Sequence, residues 1–140
     1  MTLVLDASVA MRWLADGGSD ADKAYAKRVL KSIFTEDNIA YVPSHWTLEI
    51  AHILSRSEKK GSVAADDAEY FLNVLNAIKF VTDFETSSLA LTSILSLSRR
   101  YGLPSYDAAY LELAMRLSVP LATLDKELRR AAERAGVPLA

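Results

Sequence analysis

The 140-residue sequence contains no cysteine. That excludes disulfides, thiolate catalysis and cysteine-ligated zinc together. Only two histidines occur, His45 and His52. The Glu-x-x-His spacing from Glu49 to His52 therefore has no second copy, which a di-iron helical bundle would require. No apolar run approaches the ~20 residues of a membrane span. Leu3-Val4-Leu5 is too short for the core of a signal peptide, and Asp6 interrupts it. A soluble, cytoplasmic protein with no membrane partner is expected. Strong charge of either sign is missing too: the formal net charge is −2, so no global basic field announces nucleic acid. Lys59-Lys60, Arg99-Arg100 and Arg129-Arg130 are candidates for a local basic patch. They equally fit solvated helix ends, where cations complement the helix dipole. Repeats, low-complexity tracts and linkers are absent.

What is present is ordinary globular material, 51% hydrophobic and 24% charged. It is enough for one domain over residues 1–140 with a real core. Thr2 to Leu5 reads as a strand, ended by Asp6-Ala7-Ser8 and followed by a helix carrying Val9, Trp13 and Leu14. Gly17-Gly18-Ser19 breaks that helix, and Asp20 or Asp22 starts the next, through Ala26, Val29, Leu30 and Ile33. Ile39 to Val42 is a second strand closed by Pro43. Ser44 is placed to cap a helix with Trp46, Ile50, Ile53 and Leu54 inward, ending at Lys59-Lys60-Gly61. A helix over 62–77, opened by Ser62, a strand over 79–82 and a helix over 86–101, stopped by Gly102, come next. The helix opening near Ser105 leads to a fourth strand over 119–124. Asp125 opens the last helix, and Val137 to Leu139 adds an edge strand. The alternation predicts an α/β fold, a three-layer α/β/α sandwich around a mostly parallel sheet.

Within this frame four acids stand out. Asp6 and Asp125 follow the first and fourth strands, hence lie at the carboxyl edge, where open α/β sheets bind ligands. Asp107 sits in the first turn of a helix and shares a face with Leu111 and Ala114, with Met115 adding to the apolar side. Glu49 lies i+3 from Trp46 and borders an apolar stripe. Singly, each has a plainer reading. Asp6 and Asp125 fit N-caps, Asp107 fits a dipole-complementing acid, and Glu49 fits a partner for Arg12 or the stripe's wet edge. Together, carboxylates crowded at one edge raise one another's pKa, and a divalent cation relieves the conflict. With oxygen donors only, Mg²⁺ or Mn²⁺ is the natural guest. Such ions activate water and stabilise the oxygens of a phosphodiester displacement.

Four segments in order carry a resemblance: Val4-Leu5-Asp6-Ala7-Ser8-Val9-Ala10 with Trp13, the helix with Glu49, Tyr106 to Ala114, and Leu121-Ala122-Thr123-Leu124-Asp125. Together they resemble a PIN domain, more closely the VapC-type toxins of bacterial and archaeal toxin–antitoxin pairs, over essentially the whole chain. The resemblance implies a Mg²⁺- or Mn²⁺-dependent ribonuclease. Asp6, Glu49 and Asp107 match the three core acids, Asp125 the fourth and more variable one. Ser8 and Thr123 match hydroxyl positions beside the site. The resemblance also implies a homodimer and a cognate antitoxin protein that blocks the site.

Two other function classes fit some residues. A metal-dependent phosphatase or phosphotransferase would use Asp6 after a strand, although serine stands at position 8 where a second Asp is expected. A non-catalytic interaction module would use a helix face with Trp13 and Trp46, but both fit the core at helical spacing. Glu112, i+5 from Asp107, reads as peripheral, and His52 as a surface or structural residue.

Overall fold

The computed structural model describes residues 2–14 and 18–140. Among these, four strands form one parallel sheet in the order β3-β2-β1-β4. β1 (Leu3–Leu5) is buried at all three positions. This continuous apolar run suits a strand covered on both faces. It pairs with β2 (Ala40–Pro43) on one side and with β4 (Leu121–Ala122) on the other. β3 (Phe80–Asp83) extends the sheet beyond β2. Leu5 is in register with Ala122, so Asp6 and Thr123 leave the sheet side by side.

Helices cover both faces and give the three-layer α/β/α arrangement. α1 (Ala7–Ala10) tightens into a 3₁₀ turn over Met11–Trp13. α2 (Asp20–Thr35) begins where Ser19 Oγ accepts from the Asp22 amide, a serine cap for an otherwise orphan donor. Gly17 of the expected break lies outside the described residues. α3 (Trp46–Lys59) and α4 (Ala65–Ala77) cross from β2 to β3.

Two starts differ from the sequence reading. Ser44 is not the cap of α3: its amide donates to Thr86 Oγ1, and His45 takes the cap position without a side-chain bond. Ser62 does not open α4, because its hydroxyl donates back to the Ser57 carbonyl and the helix starts at Ala65. The helix expected over 86–101 is continuous but contains a π turn: α5 (Thr86–Leu89), Ala90–Ile94, then α6 (Leu95–Tyr101). Gly102, at φ 65°, ends it in the left-handed conformation.

The central element is α7 (Ser105–Leu117), which packs against β1, β2, β4, α6 and α8. α8 is Lys126–Arg134. Every residue of α7 from Ala108 to Ala114 is buried, as expected of a helix enclosed on all sides. Full burial of a side chain such as Leu111 or Leu113 contributes about 1.5–3 kcal/mol, so the helix start is held firmly. Met115, read as part of the inward side, is instead 41% exposed. The expected last strand shrinks to a single parallel bridge between Leu121 and Leu139.

Candidate functional site

β1 and β4 together build the first part of the site. The Asp6 amide donates to the Ala122 carbonyl at 2.9 Å, continuing the β1–β4 ladder by one residue. The Asp6 side chain is buried, and its Oδ2 accepts from Ser8 Oγ at 2.7 Å and from Thr123 Oγ1 at 2.6 Å. Each hydroxyl also accepts a backbone amide: Leu124 N–H reaches Ser8 Oγ and Asp125 N–H reaches Thr123 Oγ1. The amides occupy acceptor directions, so both hydroxyl protons are free to point at the carboxylate. Both donors engage Oδ2, and Oδ1 stays outside this pair. Asp6 stands at the cap position of α1 but makes no side-chain cap bond. The simple N-cap reading fails for Asp6 because the two hydroxyls claim its carboxylate.

For Asp125 the capping role is real, with Oδ1 accepting from the Leu128 amide at 2.9 Å. A cap leaves the second carboxylate oxygen available, so capping and a place in the acid set are compatible.

Glu49 lies in the first turn of α3 and Asp107 in the first turn of α7, where the helix dipoles favour negative charge. Glu49 does not pair with Arg12. Its Oε1 accepts from the Tyr110 hydroxyl at 3.1 Å and lies 2.8 Å from His45 Nε2. The histidine contact is close but poorly aligned, and Nε2 makes no true hydrogen bond. The His45 ring meets Tyr110 edge-on at 5.4 Å and Tyr106 at 5.8 Å. Among the described residues no donor reaches the Asp107 carboxylate.

The four acids act on one another electrically. Burial, then the negative charges of Asp6, Asp125 and Glu49, push the Asp107 carboxyl up to about 6, with His45 opposing. The Asp6 carboxyl is also raised, first by burial and then by Glu49 and Asp125, against the two hydroxyl bonds. Burial and the Asp6 and Glu49 charges raise the Tyr110 phenol as well, which keeps it a neutral donor. All four acids identified in the sequence thus share one field at the carboxyl edge. Among the described residues, no three acids or histidines are drawn together tightly enough to cage a metal ion. The donor set is oxygen only, electrically crowded and open, which fits a hard divalent cation that retains some of its water.

Sequence reasoning missed Tyr110 and His45. A tyrosine inside an otherwise apolar buried helix needs a partner for its hydroxyl, and a histidine four residues before a glutamate on a helix can reach it. Glu112 makes no bond to the acids: it is buried, its Oε1 accepting from Arg116 Nε at 2.7 Å. Arg116 also donates to Asp83 at 2.6 Å and so ties α7 to the end of β3. His52 is exposed as expected. Trp46 is buried against Phe80, and Trp13 donates its indole N–H to the Ala26 carbonyl. The tryptophans thus serve packing, and they form no exposed docking face.

The PIN domain family model matches residues 3–134. Ribonuclease VapC3 of Pyrobaculum aerophilum is 28% identical over 130 residues, covering 91% of this chain and 92% of that protein. Among solved structures, PAE2754 from Pyrobaculum aerophilum superposes with a TM-score of 0.67 at 20% identity, over 94% of this chain and 79% of the other. VapBC2 from Rickettsia felis, bound to a DNA fragment from its promoter, gives 0.67 at 13% identity, over 100% of this chain and 98% of that one. FitAcB from Neisseria gonorrhoeae gives 0.61 at 16% identity, over 98% and 95%. These similarities establish the fold.

Proposed function

The chain belongs to the PIN domain family, and from that premise we propose that it is a Mg²⁺- or Mn²⁺-dependent endoribonuclease, the toxin of a VapC-type toxin–antitoxin pair. The observation that carries this reading is the shared field of Asp6, Glu49, Asp107 and Asp125, which lifts the Asp107 carboxyl to about 6. The similarity to Ribonuclease VapC3 along nearly the whole chain supports the choice of RNA.

Asp6, Glu49, Asp107 and Asp125 are the residues that would hold the cation. A bound Mg²⁺ or Mn²⁺ supplies a water of lowered pKa and stabilises charge on the phosphate oxygens. Ser8 and Thr123 orient Asp6 and oppose the upward push of burial on its carboxyl through their bonds to Oδ2. Tyr110 fixes Glu49 by donating its phenolic proton. No side chain acts as a covalent nucleophile, because water attacks phosphorus.

The whole of residues 1–140 acts as one domain in this reading. Its partners are single-stranded RNA, a cognate antitoxin that blocks the acids, and a second copy in a homodimer, all in the cytoplasm. Among the described residues no helix is long and apolar enough to cross a membrane.

The test incubates the purified protein with total cellular RNA and Mn²⁺ and maps new ends by sequencing. Discrete ends, lost with chelator and in Asp107→Asn, are the expected result. Intact RNA together with turnover of phosphomonoesters would replace the proposal with a phosphatase. Intact RNA and a silent Mn²⁺ titration would replace it with a binding module.

A further inference from the structure

Beside the acids lies a cleft of about 210 Å³. It sits where the starts of α3, α5 and α7 converge. Tyr106 and His45 form one wall, Ala90 and Ile94 contribute apolar surface, and the Ser87 and Ser105 hydroxyls add polar groups. This volume is below the ~300 Å³ at which clefts for drug-sized ligands begin, and it suits one flat group.

We infer that this cleft is a nucleobase subsite, in which a base of single-stranded RNA next to the scissile phosphate stacks on Tyr106. The inference rests on the ribonuclease reading and adds to it the place where substrate is gripped. Three observations support it. First, Tyr106 is 69% exposed, two residues before the run from Ala108 to Ala114 that is buried throughout. A large aromatic left this exposed at the start of a helix presents most of its ring to solvent. Second, its ring is backed by His45 at 5.8 Å, and His45 by Tyr110 at 5.4 Å. The platform is therefore stiffened from behind. Third, the cleft adjoins the acids through its lining: Tyr106 directly precedes Asp107, and His45 lies 2.8 Å from Glu49.

The surface chemistry favours a base over an apolar side chain. Apolar and aromatic walls accept a π-face, while free hydroxyls such as Ser87 and Ser105 meet the polar edge of a base. Unpaired bases stacked on aromatics are the usual way a protein holds single-stranded RNA.

The test uses fluorescence anisotropy in Ca²⁺ with two labelled probes. One is a single-stranded RNA dodecamer of randomised sequence, and the other has the same backbone with abasic residues. Tyr106→Ala should weaken the base-carrying RNA about five- to a hundred-fold and leave abasic binding unchanged. Tyr106→Phe, which keeps the ring, should restore the affinity. Equal losses on both probes, or none, would overturn the subsite while wild-type cleavage of RNA still stands. Failure of the wild type both to bind RNA and to cut it would remove the ribonuclease reading and the subsite with it.

Discussion

Thr123 Oγ1 and Asp6 Oδ2 lie 2.6 Å apart across 117 positions of sequence, in a fully buried hydrogen bond. The bond ties the residue after the fourth strand to the residue after the first. It holds a carboxylate whose burial alone would favour protonation. Thr123→Val keeps the shape and removes the donor, and it also strips Asp125 N–H of its acceptor. A loss of about 1–3 kcal/mol is expected, measured by urea unfolding. Since the bond lowers the Asp6 pKa, its removal raises it, and the acid limb of the pH–rate profile should move to higher pH.

Asp107 gives a second pH-dependent prediction. Its folded carboxyl titrates near 6, against an ordinary value of 3.8. The native state thus binds this proton more tightly than the unfolded chain. The associated stability is complete below about 3.8 and is lost as pH rises through about 6. In chelator, wild-type Tm should fall between pH 5 and 7.5 relative to Asp107→Asn, which has no such proton. The same variant should not cleave RNA. Parallel melting curves for the two proteins would disprove the assignment of the shift to Asp107.

Tyr110→Phe removes the phenolic bond to Glu49. Glu49 is partly exposed, so water replaces the donor and unfolding free energy should change by only about 0.5–1.5 kcal/mol. Orientation of a ligating carboxylate should suffer more. Mn²⁺ affinity is expected to drop about ten- to a hundred-fold, read by calorimetric titration. Unaltered affinity would separate Tyr110 from the site.

The strut between α7 and β3 is a stability element. Arg116→Met leaves Glu112 buried without its cation. A cost of about 1–3 kcal/mol is expected for the stranded group. Glu112→Leu in the same chain should recover most of it, because apolar replacement of a buried pair is often nearly neutral. A double-mutant cycle by chemical denaturation checks this, and the positions of RNA cleavage should not move.

The sheet, and the place of Asp6 and Asp125 at its carboxyl edge, were legible because both depend on chain order. Short apolar runs alternating with helices imply parallel strands, and an acid directly after such a strand falls at the carboxyl edge. Asp6 and Asp125 were placed on that ground, and the structure sets their segments side by side. The misses were non-local. Ser44 looks like a cap until Thr86, on another element, takes its amide. The burial of Glu112 does not follow from helical spacing, because α7 is enclosed on nearly every side and no azimuth from Ala108 to Ala114 is wet. Its partner Arg116 stands four residues along the same helix, and Arg116 is held in turn by Asp83, 33 residues from it. Periodicity reports which residues share a face of a helix, and it does not report how many neighbours that helix has.

The adjacency of β1 and β4 has a consequence for biosynthesis. In synthesis Asp6 precedes Thr123 by 117 positions. Until Leu121–Ala122 docks beside Val4–Leu5, Asp6 lacks the Thr123 donor and Asp125 is not near it. The acid cluster is therefore incomplete until the segment that carries Thr123 and Asp125 has docked beside β1.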